Sequence, residues 1–192
     1  MSLKTPLEMF YQWEQTHPDT IYLKQPIDGV TKDFTWSETG QQARKVAASL
    51  LAMDLPKGSH IAILSKNCAE WFITDLAIML AGHVSVPIYS TAGEKTIQFV
   101  LDHAKCPVIF VGKLDNTEKQ VAAIDDGIVK LAFPYPNIPA DKQWDELLQT
   151  VPFLGKPIPA LDSIMSIVYT SGSTGNPKGV VHNYESICWA AS

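Results

Sequence analysis

The stretch Tyr169-Thr170-Ser171-Gly172-Ser173-Thr174-Gly175-Asn176-Pro177-Lys178-Gly179-Val180 decides how the rest of this chain reads. Between Thr170 and Gly179 it places three glycines, four hydroxyl side chains and one lysine within ten residues. Glycine lets a backbone turn tightly and bring its N–H groups close to an anion. The hydroxyls add donors, and the Lys178 ammonium adds a charge that can reach phosphate oxygens. A largely apolar run, residues 164–168, leads in, and Val180-Val181 leads out. The stretch therefore reads as a loop between two strands, suited to holding a polyphosphate. Pro177 and the β-branched pair after the loop favour an extended exit, with a helix starting only near Tyr184. With few apolar anchors, residues 171–177 are expected to gain order from a ligand.

Two other phosphate patterns fail. A P-loop ends in Gly-Lys-Ser/Thr before a helix, whereas Lys178 follows Pro177 and precedes Gly179, leaving no adjacent hydroxyl for Mg²⁺. No G-x-G-x-x-G dinucleotide fingerprint occurs either.

Outward from the loop, helix and strand signals alternate. Ser37 is the expected N-cap of a helix to about residue 53, with Ala43, Val46, Ala47, Leu50 and Leu51 on one stripe. Residues 60–64 read as a buried strand. Asn67 is the expected cap of a second helix to about residue 81, closed by Gly82. A strand over 84–89 precedes a helix beginning near Gly93-Glu94 that aligns Ile97, Val100, Leu101 and Ala104. A strand over 108–111, a helix near 116–125, a strand near 128–133 and a helix near 142–149 continue the alternation. Residues 152–159 hold three prolines and a glycine, and 152–162 read as a surface linker. The strand over 163–170 then delivers the loop. This order predicts an α/β fold, layered, with a largely parallel sheet flanked by helices.

The loop resembles the signature of the AMP-forming acyl-activating enzymes, the superfamily of acyl-CoA synthetases, luciferases and peptide-synthetase adenylation domains. Their phosphate loop reads roughly Y-T-S-G-[ST]-T-G-x-P-K-G-V, and this chain matches at every fixed position. The likeness extends over most of the chain, from about Thr5. Phe34-Thr35-Trp36-Ser37-Glu38 resembles the family's approach to its first long helix, and residues 67–89 resemble its N…EW…AG…VP segment. Val86-Pro87-Ile88-Tyr89-Ser90-Thr91, a helix, and then Val108-Ile109-Phe110-Val111 are most similar to long-chain fatty-acyl-CoA ligases.

The resemblance implies that residues 1–192 are the N-terminal part of an AMP-binding (adenylation) domain, ending soon after the phosphate loop. It implies an acid–thiol ligase that joins a carboxylic acid, a fatty acid by the nearest pattern, to AMP and passes the acyl group to coenzyme A. ATP, Mg²⁺ and coenzyme A are the implied cofactors and cosubstrates. Thr170, Ser171, Gly172, Ser173, Thr174, Gly175, Lys178 and Gly179 would contact the nucleotide. Lys178 would be catalytic by neutralising charge on the departing pyrophosphate, and Thr170 would help hold the metal. The family's remaining catalytic lysine, metal-binding glutamate and adenine and ribose contacts belong to later motifs, so residues 1–192 alone are expected to fold in part without activating acids. The same loop serves aryl-CoA ligases and peptide-synthetase modules, and a nucleotide-binding module without chemistry is the non-enzymatic alternative. The family commonly continues with Ser or Thr followed by His near the acyl pocket; here those positions are Asn183 and Tyr184. His182 reads as a strand-end side chain.

Composition narrows the partners. Hydrophobic residues make up 46% and charged residues 18%, a globular balance. A net charge of −5 argues against nucleic acid and supplies no polybasic membrane patch. Cys68, Cys106 and Cys188 are scattered, which predicts free thiols in a reducing, cytoplasmic setting. The five histidines are dispersed and form no zinc pattern. The N-terminus shows no secretory signal. Residues 69–89, the most apolar long stretch, are broken by Glu70, Asp75, Gly82 and His83, which predicts no membrane span and leaves peripheral contact open. The chain stops within a helix, without a stop signal, which reads as a truncation.

Overall fold

Parallel strands cannot be joined by tight turns; each pair needs a crossover of a dozen or more residues, usually helical. That requirement is visible throughout the computed structural model, which describes residues 3–27, 29–170 and 177–190. The chain runs α1 (Pro6–Thr16), β1 (Ile21–Ile27), β2 (Val30–Thr35), α2 (Trp36–Leu51), β3 (His60–Leu64), α3 (Ala69–Leu80), β4 (Val84–Ile88) and α4 (Glu94–Ala104). It continues through β5 (Val108–Val111), α5 (Thr117–Ala122), β6 (Val129–Ala132), β7 (Lys142–Gln143), α6 (Trp144–Leu147), β8 (Ile164–Thr170), β9 (Lys178–Asn183) and α7 (Tyr184–Ala190).

β1 and β2 form an antiparallel hairpin, and the other described strands form one sheet in the order β7-β6-β5-β3-β4-β8-β9. Every neighbouring pair in that sheet is parallel except β8 and β9. Both faces are covered, as parallel sheets require. Ile61, Ile63, Phe110 and Leu131 face a layer that includes Val46 and Leu50 of α2 and Ile73 of α3. Ala62, Leu64, Val86, Ile109 and Val111 face the opposite layer, with Ile97, Val100 and Leu101 of α4. The layered, largely parallel α/β architecture is thus as predicted.

Connectivity opens the site. β3 leads through α3 to β4 on one side, while β4 leads through α4 back past β3 to β5 on the other. With right-handed crossovers, the loops leaving β3 and β4 diverge to opposite faces. A crevice forms between their C-terminal ends, where open α/β sheets bind ligands.

Several element ends differ from expectation. Thr35, not Ser37, caps α2: the Glu38 N–H donates to Thr35 Oγ1 at 3.1 Å, and the Thr35 N–H donates to Glu38 Oε2 at 2.9 Å. The Thr-x-x-Glu spacing closes this reciprocal box, while Ser37 already lies in the first turn. Cys68, not Asn67, precedes α3 and makes no side-chain cap. The free N–H of Ala69 donates instead to Gln25 Oε1 at 2.9 Å, so a partner 44 positions away replaces the local cap. The other end of α3 follows the prediction: Gly82 adopts a φ of +74°, and His83 N–H donates to Ile78 O at 3.0 Å, a Schellman closure. Lys142 and Gln143, expected in a helix, pair with Leu131 and Ala132 as β7. Three elements have no counterpart among those expected, α1 and the two strands of the β1–β2 hairpin. The first begins with its own capping box, Thr5 with Glu8, and is tied to α2 by a two-pronged Glu14–Arg44 ion pair at 2.6 and 2.7 Å.

Residues 151–160 carry no regular element but lie against the body: Tyr11 Oη donates to Pro157 O, and Phe153 N–H donates to Arg44 O, both at 3.1 Å. Beneath them, α3 turns Asp75 toward Tyr22 and Tyr184; burial pushes both phenol pKa values up, and the Asp75 charge adds to it. Asp75 keeps some exposed surface, yet the protein around it raises its carboxyl from 3.8 to about 6. The nearby Ser85 hydroxyl opposes that rise, although it makes no fully formed hydrogen bond.

Two predictions follow from these local environments. Thr35→Ala should cost about 1 kcal/mol of stability in urea denaturation, whereas Ser37→Ala should cost at most a few tenths; equal costs would contradict the assigned cap. Between about pH 4 and 6 the folded state holds a proton on Asp75 that the unfolded chain releases, so this group lowers stability as pH rises through that window. Asp75→Asn should flatten that slope and raise stability at pH 7 by on the order of 1–2 kcal/mol, after allowance for solvent screening. A slope unaltered by the substitution would refute the assignment.

Candidate nucleotide-binding site

A loop that grips an anion needs both its ends held. β8 and β9 supply this by pairing antiparallel, with Thr170 opposite Lys178 and Tyr169 opposite Gly179. The two strands predicted on either side of the stretch are therefore present and pair as a hairpin, and α7 follows at Tyr184 as expected. Thr170 and Lys178 are both exposed. Lys178 makes no ion pair among the described residues, in contrast with Lys66, which is matched by Asp115. Ser171, Gly172, Ser173, Thr174 and Gly175 lie outside the described residues, as does nearly all of the stretch expected to gain order from a ligand.

Gly179 has a visible packing role. A Cβ there would stand 3.1 Å from Ile167 Cγ2 and 3.2 Å from the Tyr169 ring. The ring of Tyr169 is buried, and its Oη lies 2.7 Å from His103 Nδ1 on α4. Burial, reinforced by the neighbouring Cys106, raises the Tyr169 pKa and keeps the phenol neutral. Phe99 completes the group, stacked on the His103 ring and edge-on to Tyr169.

Two cavities occupy the crevice beside the hairpin. One, of about 410 Å³, is lined by Ser65, Asn67 and Trp71 from the β3 side and by Tyr89 and Ser90 from the β4 side. The other, of about 320 Å³, is lined by Thr91 and Thr96 near the start of α4 and by Tyr169, Thr170 and Pro177 at the loop ends. They meet at Pro87, Ile88 and Tyr89. The loop ends thus open onto the C-terminal edge of the sheet. Thr170 offers one hydroxyl oxygen there, a donor type suited to a hard cation such as Mg²⁺. No group of three metal-ligating side chains occurs among the described residues, so Thr170 fits such a cation only as one oxygen among others.

The departures after the lysine have structural reasons. Asn183 caps α7: its Oδ1 accepts the Ser186 N–H at 2.8 Å, and its carbonyl accepts from Ser186 Oγ at 2.9 Å. Tyr184 is buried in the layer that holds α1 and α3 and borders a third cavity with Lys57, His83 and Ser163, apart from the two beside the loop. His182 stands within β9, opposite Ser166. The His103–Tyr169 contact was not anticipated; its partners lie 66 positions apart, and no local spacing announces it.

Comparison with known proteins agrees with this geometry. The chain is 30% identical over 184 residues to the long-chain-fatty-acid–CoA ligase FadD15 of Mycobacterium bovis, covering 89% of this chain and 30% of that protein. It is 32% identical over 168 residues to the long-chain-fatty-acid–CoA ligase ACSBG2 of Homo sapiens, covering 79% of this chain and 25% of that protein. The chain therefore spans less than a third of these relatives. Among solved structures, the anthranilate CoA ligase AuaEII in complex with anthranoyl-AMP superposes with a TM-score of 0.83 at 18% identity, over 96% of this chain and 36% of that one. The N-terminal subdomain of Klebsiella oxytoca NpsA does so with a TM-score of 0.72 at 26% identity, over 98% of this chain and 44% of that one. The profile of the AMP-binding enzyme family matches residues 10–192, and the chain belongs to that family.

Proposed function

We propose that this chain is the phosphate-gripping part of an ATP-dependent, AMP-forming ligase that activates a long-chain fatty acid and transfers it to coenzyme A. One observation carries the reading: Thr170 and an exposed Lys178, without an ion pair among the described residues, stand opposite each other at the two ends of a glycine-rich stretch, at the C-terminal edge of a parallel sheet. N–H groups and hydroxyls of Ser171, Gly172, Ser173, Thr174 and Gly175 would hold the β- and γ-phosphates. Lys178 would offset the charge that builds on pyrophosphate as the substrate carboxylate attacks the α-phosphorus, with orientation and electrostatics supplying most of the acceleration. Gly179 would serve the nucleotide through the hairpin rather than by direct contact. Mg²⁺, with Thr170 as one oxygen ligand, would add further charge neutralisation when bound. The similarity to long-chain-fatty-acid–CoA ligases at 30% and 32% identity supports the substrate class. The buried free thiols Cys68, Cys106 and Cys188 fit a reducing compartment such as the cytoplasm, and no helix of the described residues is long and apolar enough to cross a membrane.

A second reading, an aromatic acid as substrate, is supported by the NpsA N-terminal subdomain in complex with 3-hydroxybenzoyl-AMSN, to which this chain is 27% identical. ATP–pyrophosphate exchange by the full-length protein separates the two. Exchange driven by acids of fourteen to eighteen carbons, at roughly ten-fold or greater preference over benzoates, is the expected result (a preference of about 1.4 kcal/mol); the reverse preference selects the second reading. Lys178→Ala should lower exchange about ten- to a hundred-fold, as loss of a charge-assisted contact of roughly 1.5–3 kcal/mol implies. Exchange unchanged in that variant would overturn the role of Lys178.

A further inference from the structure

β8 packs beside β4 and buries Ile167 and Tyr169, yet its backbone pairing on that side is sparse. Its ladder to β4 consists of one register pair, Ser85 with Ser166, so toward the loop its backbone is paired only with β9. β9 is itself the edge of the sheet. A two-stranded hairpin extending past its last sheet partner is marginal by itself. Among the described residues, Ile167 and Tyr169 pack this part of the hairpin into the body, and Tyr169, the nearer of the two to the loop, adds a polar contact.

That side chain is engaged from both sides. Across the hairpin its ring occupies the space left by the missing Cβ of Gly179. Toward the body its hydroxyl meets His103 Nδ1 at 2.7 Å, and its ring lies edge-on to Phe99 and His103 at angles of 85° and 88°. His103 and Phe99 belong to α4, whose Ile97, Val100 and Leu101 are buried against the sheet, so the anchor point is rigid. A slip of one residue would place Lys178 or Val180 opposite Tyr169, and a side chain there would crowd the ring where glycine fits. The imidazole of His103 is itself exposed, which makes its contact with the phenol, rather than apolar burial, its main structural contribution.

We propose that His103 is a positioning residue for triphosphate binding: through the Tyr169 hydroxyl, and the seat of that ring on Gly179, it holds the β8–β9 register and so the placement of Lys178 opposite Thr170. This rests on the reading of the loop as a triphosphate site, and the two can fail separately. His103 touches no reacting group; it acts through Tyr169.

The test uses the full-length protein with His103→Ala, His103→Asn, Tyr169→Phe and Lys178→Ala. Asn places a hydrogen-bonding atom close to the position of Nδ1 while giving up the ring stacked on Phe99, and Phe keeps the ring of Tyr169 without its hydroxyl, so the first restores the polar contact without the stacking and the second keeps the packing without the contact. Loss of one hydrogen bond of ordinary strength should raise KM for ATP about three- to ten-fold in His103→Ala and Tyr169→Phe. KM for the acid should stay unchanged, and His103→Asn should recover at least half of the lost ATP affinity on a logarithmic scale. The double variant His103→Ala/Tyr169→Phe should be no worse than either single one, because both remove the same contact. Without nucleotide, amide hydrogen exchange over residues 178–181 should quicken in both single variants and return toward the wild-type rate in His103→Asn. A uniform loss of thermal stability with KM for ATP unmoved would overturn the proposal in favour of plain packing. So would additive effects of the two substitutions. If Lys178→Ala leaves ATP use intact, the triphosphate reading fails, while the exchange rates still report whether His103 holds the hairpin.

Discussion

The parallel pairing of β3 on both of its edges is the constraint from which the rest of the molecule follows. A strand flanked by β4 and β5, with Ile61 and Ile63 buried on one side and Ala62 and Leu64 on the other, has no face left for solvent. Its neighbours must therefore be reached by helical crossovers over both faces. Because α3 carries the chain one way from β3 and α4 carries it back the other way from β4, their loops part company and leave a crevice. Ser65 and Asn67 border it on one side, and Tyr89 and Ser90 on the other. The site results from chain handedness before any functional side chain is considered.

The hairpin of β8 and β9 adds charge to that crevice. An antiparallel pair returns the chain beside itself, so one lysine and one threonine separated by seven residues stand together at its tip. A segment that is to bind a ligand needs firm ends, or part of the binding energy goes into ordering the chain. Here the firmness comes from tertiary contacts rather than from the ladder, which thins toward the tip. Gly179 illustrates how one residue type serves more than one end. Read in sequence, it belongs to a phosphate motif. In the fold it makes room for a tyrosine.

The same economy appears after the lysine. Asn183 spends its side chain on capping α7, and Tyr184 spends its ring on the layer beneath α1 and α3. Neither is placed at the cavities that flank the loop ends. Their divergence from the usual family residues therefore reaches the fold through helix initiation and core packing, near Asp75 and the strap of residues 157–160.

Much was legible from residues in order. Helical spacing in α2 and α4, the apolar run of β3, and the glycine closing α3 are consequences of near neighbours, so they can be read without the fold. The two strands that flank the glycine-rich stretch were legible for the same reason, while residues 171–176 between them fall outside the described part of the chain. Thr5 with Glu8 is an equally local signal for the start of α1. What the tertiary structure alone decided depends on remote partners. The Ala69 N–H is satisfied by Gln25 rather than by Asn67, and Lys142-Gln143 becomes a strand because β6 offers an open edge. His103 acquires a role because α4 packs beside β8. Backbone propensity and turn chemistry are energies between neighbours in sequence; strand order, borrowed caps and the seat of Tyr169 are energies between segments that meet only once the chain has folded.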